Sequence, residues 1–290
     1  MLQNIIQLVK TEYKKFSKNS VVIVLLGTFT IFAPLLILGF KRLFRYSQPP
    51  FPSSLSLMEL PMIWDYNAYI NQHLIYVLLG YFVIYTITSE VANKTQRQNI
   101  ITGYTKKEYF LAKLASFVAI SLAATLLYMV STALLGALHT DGASFGLMID
   151  NNFLGIRYFL CCMGFMSFAM FIAFWFRRAG IAIFAYFGAI VMLEQMLRGF
   201  GVWVFTKIAD LLSISYTPTQ LFSASRWTPL NIFEDLLPNP FYKISGFIKV
   251  PDTQESLDLL VNPTSTIIVS VLYISLFIWL AWRKFDKKDI

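Results

Sequence analysis

Glu90, Thr95, Arg97, Gly103, Glu108 and Lys113 fall within one short polar stretch, SEVANKTQRQNIITGYTKKEYFLAK, set between two long apolar runs. Carboxylate, guanidinium, ammonium and hydroxyl groups at this density suit ion pairing and directed hydrogen bonding. No histidine or cysteine stands among them to carry acid–base or nucleophilic work. This is the chemistry of docking, not of bond breaking.

The rest of the chain excludes most catalytic classes. No Gly-Lys dipeptide occurs, so a Walker A phosphate loop is absent. His73 and His139 are the only histidines, too few nitrogen ligands for a metal site. Cys161 and Cys162 are adjacent in an apolar run and read as small packing residues; two cysteines make no disulfide framework. No serine, histidine and carboxylate group together as a protease site would need. The chain is expected to be no enzyme and to bind no metal or cofactor of its own.

Local signals fix the shape of the polar stretch. Thr105-Lys106-Lys107-Glu108 matches a capping box, with Thr105 at the N-cap and Glu108 three positions on, so a helix is predicted to begin there. Gly103 suits the left-handed position that closes a preceding short helix, read over 93–101. Helix, sharp turn and helix follow in order over residues 90–113. Taken alone, Glu90 could equally be a solvated carboxylate where an apolar run ends.

The elements around that stretch are dictated by composition. Hydrophobic residues make up 57% and charged residues only 14%, against about 25% charged in a typical soluble domain. Runs of about 20 apolar residues cross a hydrocarbon core roughly 30 Å thick. Six are present, near Ser20–Phe40, Ala68–Ser89, Leu114–Leu138, Ile156–Phe176, Ala179–Leu197 and Ser265–Trp282. The chain is therefore read as an all-α integral membrane protein, one transmembrane domain over residues 1–290. Ala115, Ala119 and Ala123 mark a small-residue packing face on the third span. Glu194 lies inside the fifth, where a carboxylate is costly and usually faces protein. Its open readings are a structural hydrogen-bonding group, a group on a substrate or ion path, or an interfacial carboxylate.

Net charge is +8, and its distribution orients the chain. With the amino terminus inside, the cytoplasmic segments hold Lys10, Lys14, Lys15, Lys18, Lys94, Arg97, Lys106, Lys107, Lys113, Arg177, Arg178, Arg283, Lys284, Lys287 and Lys288. The outer segments hold the other nine of the 24 Lys and Arg, five of them in a long loop that counts little under the positive-inside rule. Both termini are expected in the cytoplasm. No basic patch with interleaved aromatics stands clear of the spans, so nucleic acid is not an expected partner.

Outside the spans, residues 1–19 read as an amphipathic helix, and the first apolar run is not expected to act as a cleavable signal, being too long and without an A-x-A-like exit. Leu2, Ile5, Ile6, Val9, Tyr13 and Phe16 share one face, with Lys10, Lys14 and Lys18 towards the other. Such a helix lies in the membrane interface with its lysines towards lipid phosphates; an ordinary cytoplasmic lead-in helix is the alternative. Residues 41–66 contain Pro49, Pro50, Pro52 and Pro61 and read as extended or turn structure. Residues 198–263 read as an extracytoplasmic loop with short helices lying at, or re-entering, the outer interface, one of them over Pro229–Pro240.

Glu90-x4-Thr95-x-Arg97, followed by Gly103, Lys107-Glu108 and Lys113, resembles the cytoplasmic signature of the membrane subunits of type-2 ABC exporters. The basic ending Trp282–Ile290 and the proline-bracketed Pro229–Pro240 are similar to segments of small bacterial permeases in that family. Asn93-Lys94 depart from the residues usual between the glutamate and the threonine. The resemblance implies a permease in the bacterial cytoplasmic membrane that pairs with a second permease protomer, identical or paralogous. Two separate ATP-binding cassette subunits would drive it, with ATP and magnesium bound on them. It implies a coupling helix in residues 90–113, with Thr95 and Arg97 on or beside the ATPase contact and Glu90 linking that contact to the second span. Gly103 and Lys113 belong to the same matched pattern. An ion-coupled secondary carrier is the alternative; it would show a repeated architecture with midspan polar groups, and no repeat is evident. Few intramembrane charges and 17% aromatics do not select a substrate.

The charge asymmetry makes a direct prediction. In a chain lacking Cys161 and Cys162, single cysteines at Ser144 and Thr253 should label from outside. Cysteines at Thr105 and Lys288 should react only after permeabilisation, and outside labelling at 105 would invert the orientation.

Overall fold

A computed structural model of the chain describes residues 2–43, 57–149, 153–215, 227–238 and 263–287. The described residues are helical, with no strand among them. In chain order the helices are α1 (Leu2–Lys18), α2 (Ser20–Leu43), α3 (Met62–Ala92), α4 (Thr95–Ile101), α5 (Lys106–His139), α6 (Phe145–Ile149), α7 (Leu154–Phe176), α8 (Ala179–Leu211), α9 (Pro229–Asp235) and α10 (Pro263–Asp286). Six of them, α2, α3, α5, α7, α8 and α10, are long and apolar enough to cross a membrane, the architecture of a multi-pass membrane protein. The prolines at 49, 50 and 52, the loop over 239–262 with Thr253, and residues 288–290 lie outside the described residues.

Helix α7 is the axis of the bundle. Its sequence is apolar all round, which suits a helix enclosed by others, and it packs against α10, α3, α5 and α8. Small side chains let the neighbours come close. A Cβ on Gly164 would sit 2.5 Å from the Phe233 ring, and that buried ring also meets Phe165 and Phe277. The short helix α9 is thereby plugged into the bundle between α7 and α10.

Two spans carry a π-helical turn, Ile75–Leu79 in α3 and Ala189–Leu193 in α8. Such turns free a backbone carbonyl. The buried Tyr186 hydroxyl donates to the Tyr76 carbonyl at 3.0 Å, satisfying both groups, and Gly80 leaves the room its ring occupies.

Several boundaries differ from those the sequence suggests. Helix α3 starts at Met62, directly after Pro61, so residues 62–66 are helical and not extended. Residues 198–211 continue α8 instead of opening the loop, which begins only at Leu212. Apolarity fades there, but nothing in Glu194–Leu211 breaks a helix. The helix ends where Ser213 turns left-handed and the Ile214 amide closes onto the Ala209 carbonyl at 2.9 Å. The Ala119 and Ala123 face of α5 is exposed; its packed face is the polar and aromatic series Ser116, Phe117, Ser121, Thr125 and Tyr128.

Gly164→Val should cost about 1–3 kcal/mol by forcing Phe233 from its seat, as overpacking does. Gly27→Val, on α2 with nothing within 4 Å of the added Cβ, changes helix propensity alike and should be neutral. Thermal unfolding in detergent separates the two, and equal midpoints would refute the plug.

Candidate functional site

The polar stretch between α3 and α5 folds as its local signals require. Helix α4 covers Thr95–Ile101 and ends in Gly103 at φ +106°, with the Tyr104 amide on the Asn99 carbonyl at 3.2 Å and the Gly103 amide on the Ile100 carbonyl at 3.1 Å. This paired closure is a Schellman motif, which a glycine adopts without a Cβ penalty. Helix α5 then starts in the capping box: the Glu108 amide donates to Thr105 Oγ1 at 3.2 Å and the Thr105 amide to Glu108 Oε2 at 3.0 Å.

The residues singled out in this stretch separate into two sets. Arg97 and Ile101, one helical repeat apart, lie exposed on the outer face of α4, Ile101 with 74% of its surface free. Gln96 faces inward and is buried. Thr95 ties the start of α4 to the end of α3, its hydroxyl donating to the Glu90 carbonyl at 3.3 Å. Glu90 and Lys113 turn into the protein and offer almost no surface to a partner, Lys113 being 1% exposed.

Burying Glu90 and Lys113 requires countercharges, and α1 supplies them. Lys113 Nζ is 2.9 Å from Glu90 Oε1 and also pairs with Glu12 Oε2. Lys15 Nζ bridges the same carboxylates, 2.9 Å from Glu90 and 3.0 Å from Glu12. Two lysines and two glutamates cancel. The remaining Glu90 oxygen accepts the Tyr109 hydroxyl. Aromatic rings complete the shell, with the Lys113 ammonium 5.9 Å from the Phe16 ring centre and 5.8 Å from that of Tyr109. Burial works against a charge on Lys15, but Glu90 and then Glu12 outweigh it and raise its pKa above the ordinary 10.5. The contribution of this ion pair is therefore full below that ordinary value and lost only as pH rises through the raised one.

Glu12, Lys15 and Tyr109 are the members that sequence reasoning missed. Glu12 is the only acidic residue of α1 and sits between Leu8 and Phe16 at four-residue spacing. Leu8 and Glu12 are buried and Phe16 packs edge-on against Phe82, whereas Ile6 and Tyr13 of the expected apolar face are exposed. A carboxylate inside an apolar stripe was the available signal.

Next to this quartet an aromatic cluster gathers the other helix ends. Phe285 of α10 meets Tyr109, Phe110 and Phe174, and Trp282 packs edge-on against Phe110. The Lys106 ammonium donates to the Asp286 carbonyl at 2.8 Å. The basic ending is thus the last turn of α10 up to Asp286, docked on α5, with Lys284 4.0 Å over the Trp175 ring.

Glu194 lies midway along α8, not near its outer end, and serves α9. Its carboxylate accepts the Thr228 hydroxyl and the Asn231 amide, the latter at 3.0 Å, where a capping side chain would act. At the other terminus of α9, Arg157 donates to the Asp235 carbonyl at 3.2 Å. Carboxylate at the start and guanidinium at the end both match the helix dipole.

No protein-family model matches the chain, and no curated protein matches it.

Removing one member of a buried ion network strands its partners, at about 3–5 kcal/mol. Lys113→Met should cost that much in detergent unfolding. Lys113→Met with Glu12→Leu leaves Lys15 and Glu90 as a closed pair and should cost less than the single change. A double variant less stable than Lys113→Met would show that the quartet does not act as a unit.

Proposed function

We propose that this chain is the membrane-spanning permease subunit of an ABC exporter, working as a dimer in the bacterial cytoplasmic membrane with both termini in the cytoplasm. Separate cassette ATPases, carrying ATP and magnesium, drive it, and the chain itself is not an enzyme. One observation carries the reading: α4 lies at the edge of the bundle with Arg97 and Ile101 unburied and Gln96 turned inward, while Glu90 at its root is tied to α1 and α5. A helix so placed can accept a push from a partner and pass it to three helices at once. The resemblance around Glu90, Thr95, Arg97, Gly103 and Lys113 points the same way. In this reading Arg97 and Ile101 meet the ATPase, Thr95 and Gly103 shape α4, and Glu90 and Lys113 transmit. Helix α1, with its exposed Ile6 and Tyr13, lies in the membrane interface, and α9 is the re-entrant element on the outer side.

The alternative, an ion-coupled carrier, draws on a buried polar chain in the other half of the bundle. Asn71 donates to Asn67 at 3.0 Å and Asn67 to Thr132 at 2.7 Å, and the buried Asn71 Oδ1, Trp64 Nε1 and Tyr158 hydroxyl find no partner among the described residues. Buried polar groups within the spans serve ion paths in carriers. Transport that persists with a hydrolysis-dead ATPase but collapses with the ion gradient would decide for the carrier.

The permease reading is tested at Arg97, whose planar, permanently charged group can make several directed hydrogen bonds at an interface. Arg97→Glu should leave folding and insertion intact and reduce ATPase co-purification at least about tenfold, the effect of some 1.4 kcal/mol, or uncouple hydrolysis from transport. Lys107→Glu, an equal charge change at an exposed site beyond the Gly103 turn, should do neither. Lys106 is a poorer control because it is engaged with Asp286. Normal association and normal transport in Arg97→Glu would remove the main support for this function.

A further inference from the structure

A groove of about 440 Å³ opens at the corner where α1 turns into α2, lined by Thr11, Lys14, Lys15, Lys18 and Asn19. Three lysines share this small space, and they are not equivalent. Lys15 is spent on Glu12 and Glu90. Lys14 and Lys18 are exposed, and no carboxylate pairs with either among the described residues. The corner itself is held in shape. Asn19 Oδ1 accepts the amides of Val21 and Val22 at 3.0 and 3.3 Å, and its amide nitrogen donates to the Tyr85 hydroxyl at 3.3 Å.

The surroundings define the occupant. Ile23 and Val24, just past the corner on α2, are 51% and 63% exposed, and Ile6 and Tyr13 expose apolar surface along α1. Two ammonium groups without a carboxylate partner among the described residues thus stand at the end of a membrane-length helix whose first turns expose apolar side chains. A free anion would use the first feature only. A molecule with a negative headgroup and acyl chains uses both, since lysines on an amphipathic helix attract anionic lipid while apolar surface takes the chains. We propose that this corner binds the headgroup of an anionic phospholipid, with Lys14 and Lys18 holding the phosphate and the acyl chains lying along Ile23 and Val24. The site rests on the six helices being membrane spans and not on the transport reading, so either can fail without the other. Because Lys15 lines the groove and closes the charged quartet, a bound phosphate stands directly beside the network that joins α1, α3 and α5.

The test uses the full chain purified in a neutral detergent, with the thermal unfolding midpoint as readout. It is titrated separately with dioleoylphosphatidylglycerol, dioleoylphosphatidylcholine, inorganic phosphate and an acidic peptide. Phosphatidylglycerol should raise the midpoint saturably and the other three should not. Lys14→Gln with Lys18→Gln should leave the lipid-free midpoint unchanged and raise the half-saturating lipid concentration about tenfold or more, from two lysines near an anionic surface. Lys18→Gln alone should raise it about threefold or more by the same reasoning. Lys10→Gln, one turn earlier and outside the groove, should raise it less than Lys18→Gln does. Equal weakening by Lys10→Gln would mean diffuse attraction, and a matching response to phosphatidylcholine would mean no headgroup selection. A shift with phosphate alone would mean a soluble anion, and a response to the peptide without one to phosphatidylglycerol would mean a protein partner. Each of these, like the absence of any lipid response, overturns the proposal.

Discussion

Four charges gathered at one end of an apolar bundle, three of them buried, constrain everything near them. Lys113 has almost no access to solvent and is tolerable there only because Glu12 and Glu90 reach it from two other helices. None of these carboxylates could be placed without fixing a helix: Glu12 sets the rotation of α1, and Glu90 sets the height at which α3 ends against α5. Ion pairing of this kind contributes little net stability over a well-packed apolar core, but it punishes any sliding of one helix past another. The register of α1, α3 and α5 is therefore specified electrostatically, where hydrophobic contact alone would tolerate several registers.

The packing around α9 uses different means for a similar purpose. Helix α9 has seven residues, too few to be stable alone. Glu194 and Arg157 supply charges of the correct sign at its two ends, and Phe233 anchors its middle in the space left by Gly164. Tyr273 of α10 adds a bond to the Trp227 carbonyl at 2.8 Å. Three spans thus converge on one short segment, which makes α9 a reporter of their relative position.

What the sequence made legible was local. Six apolar runs, the capping box at Thr105 and Glu108, and the Gly103 turn each depend on residues a few positions apart, and all are present in the structure. The partners of Glu90 and Lys113 were not legible, because Glu12 lies 101 residues before Lys113 and only folding brings them together. Of the apolar face assigned to α1, the bundle takes Phe16, in a stripe with Leu8 and Glu12, and leaves Ile6 and Tyr13 exposed. The alanines of α5 misled for a related reason: small size permits close packing without requiring it. The length of α8 was underestimated because hydropathy was used to mark an end that only backbone conformation defines.

Helix α7 is enclosed along its middle, and its most extensive neighbour is α10, the last of the described helices. During synthesis α7 therefore emerges about a hundred residues before the surface that will cover it. Lipid chains are an acceptable interim neighbour for an apolar face, so α7 can wait in the bilayer without aggregating. The ring cluster of Phe110, Phe174 and Phe285 cannot form until the final turn of α10 arrives. Closure of the bundle in this sense awaits a helix made long after the one it encloses.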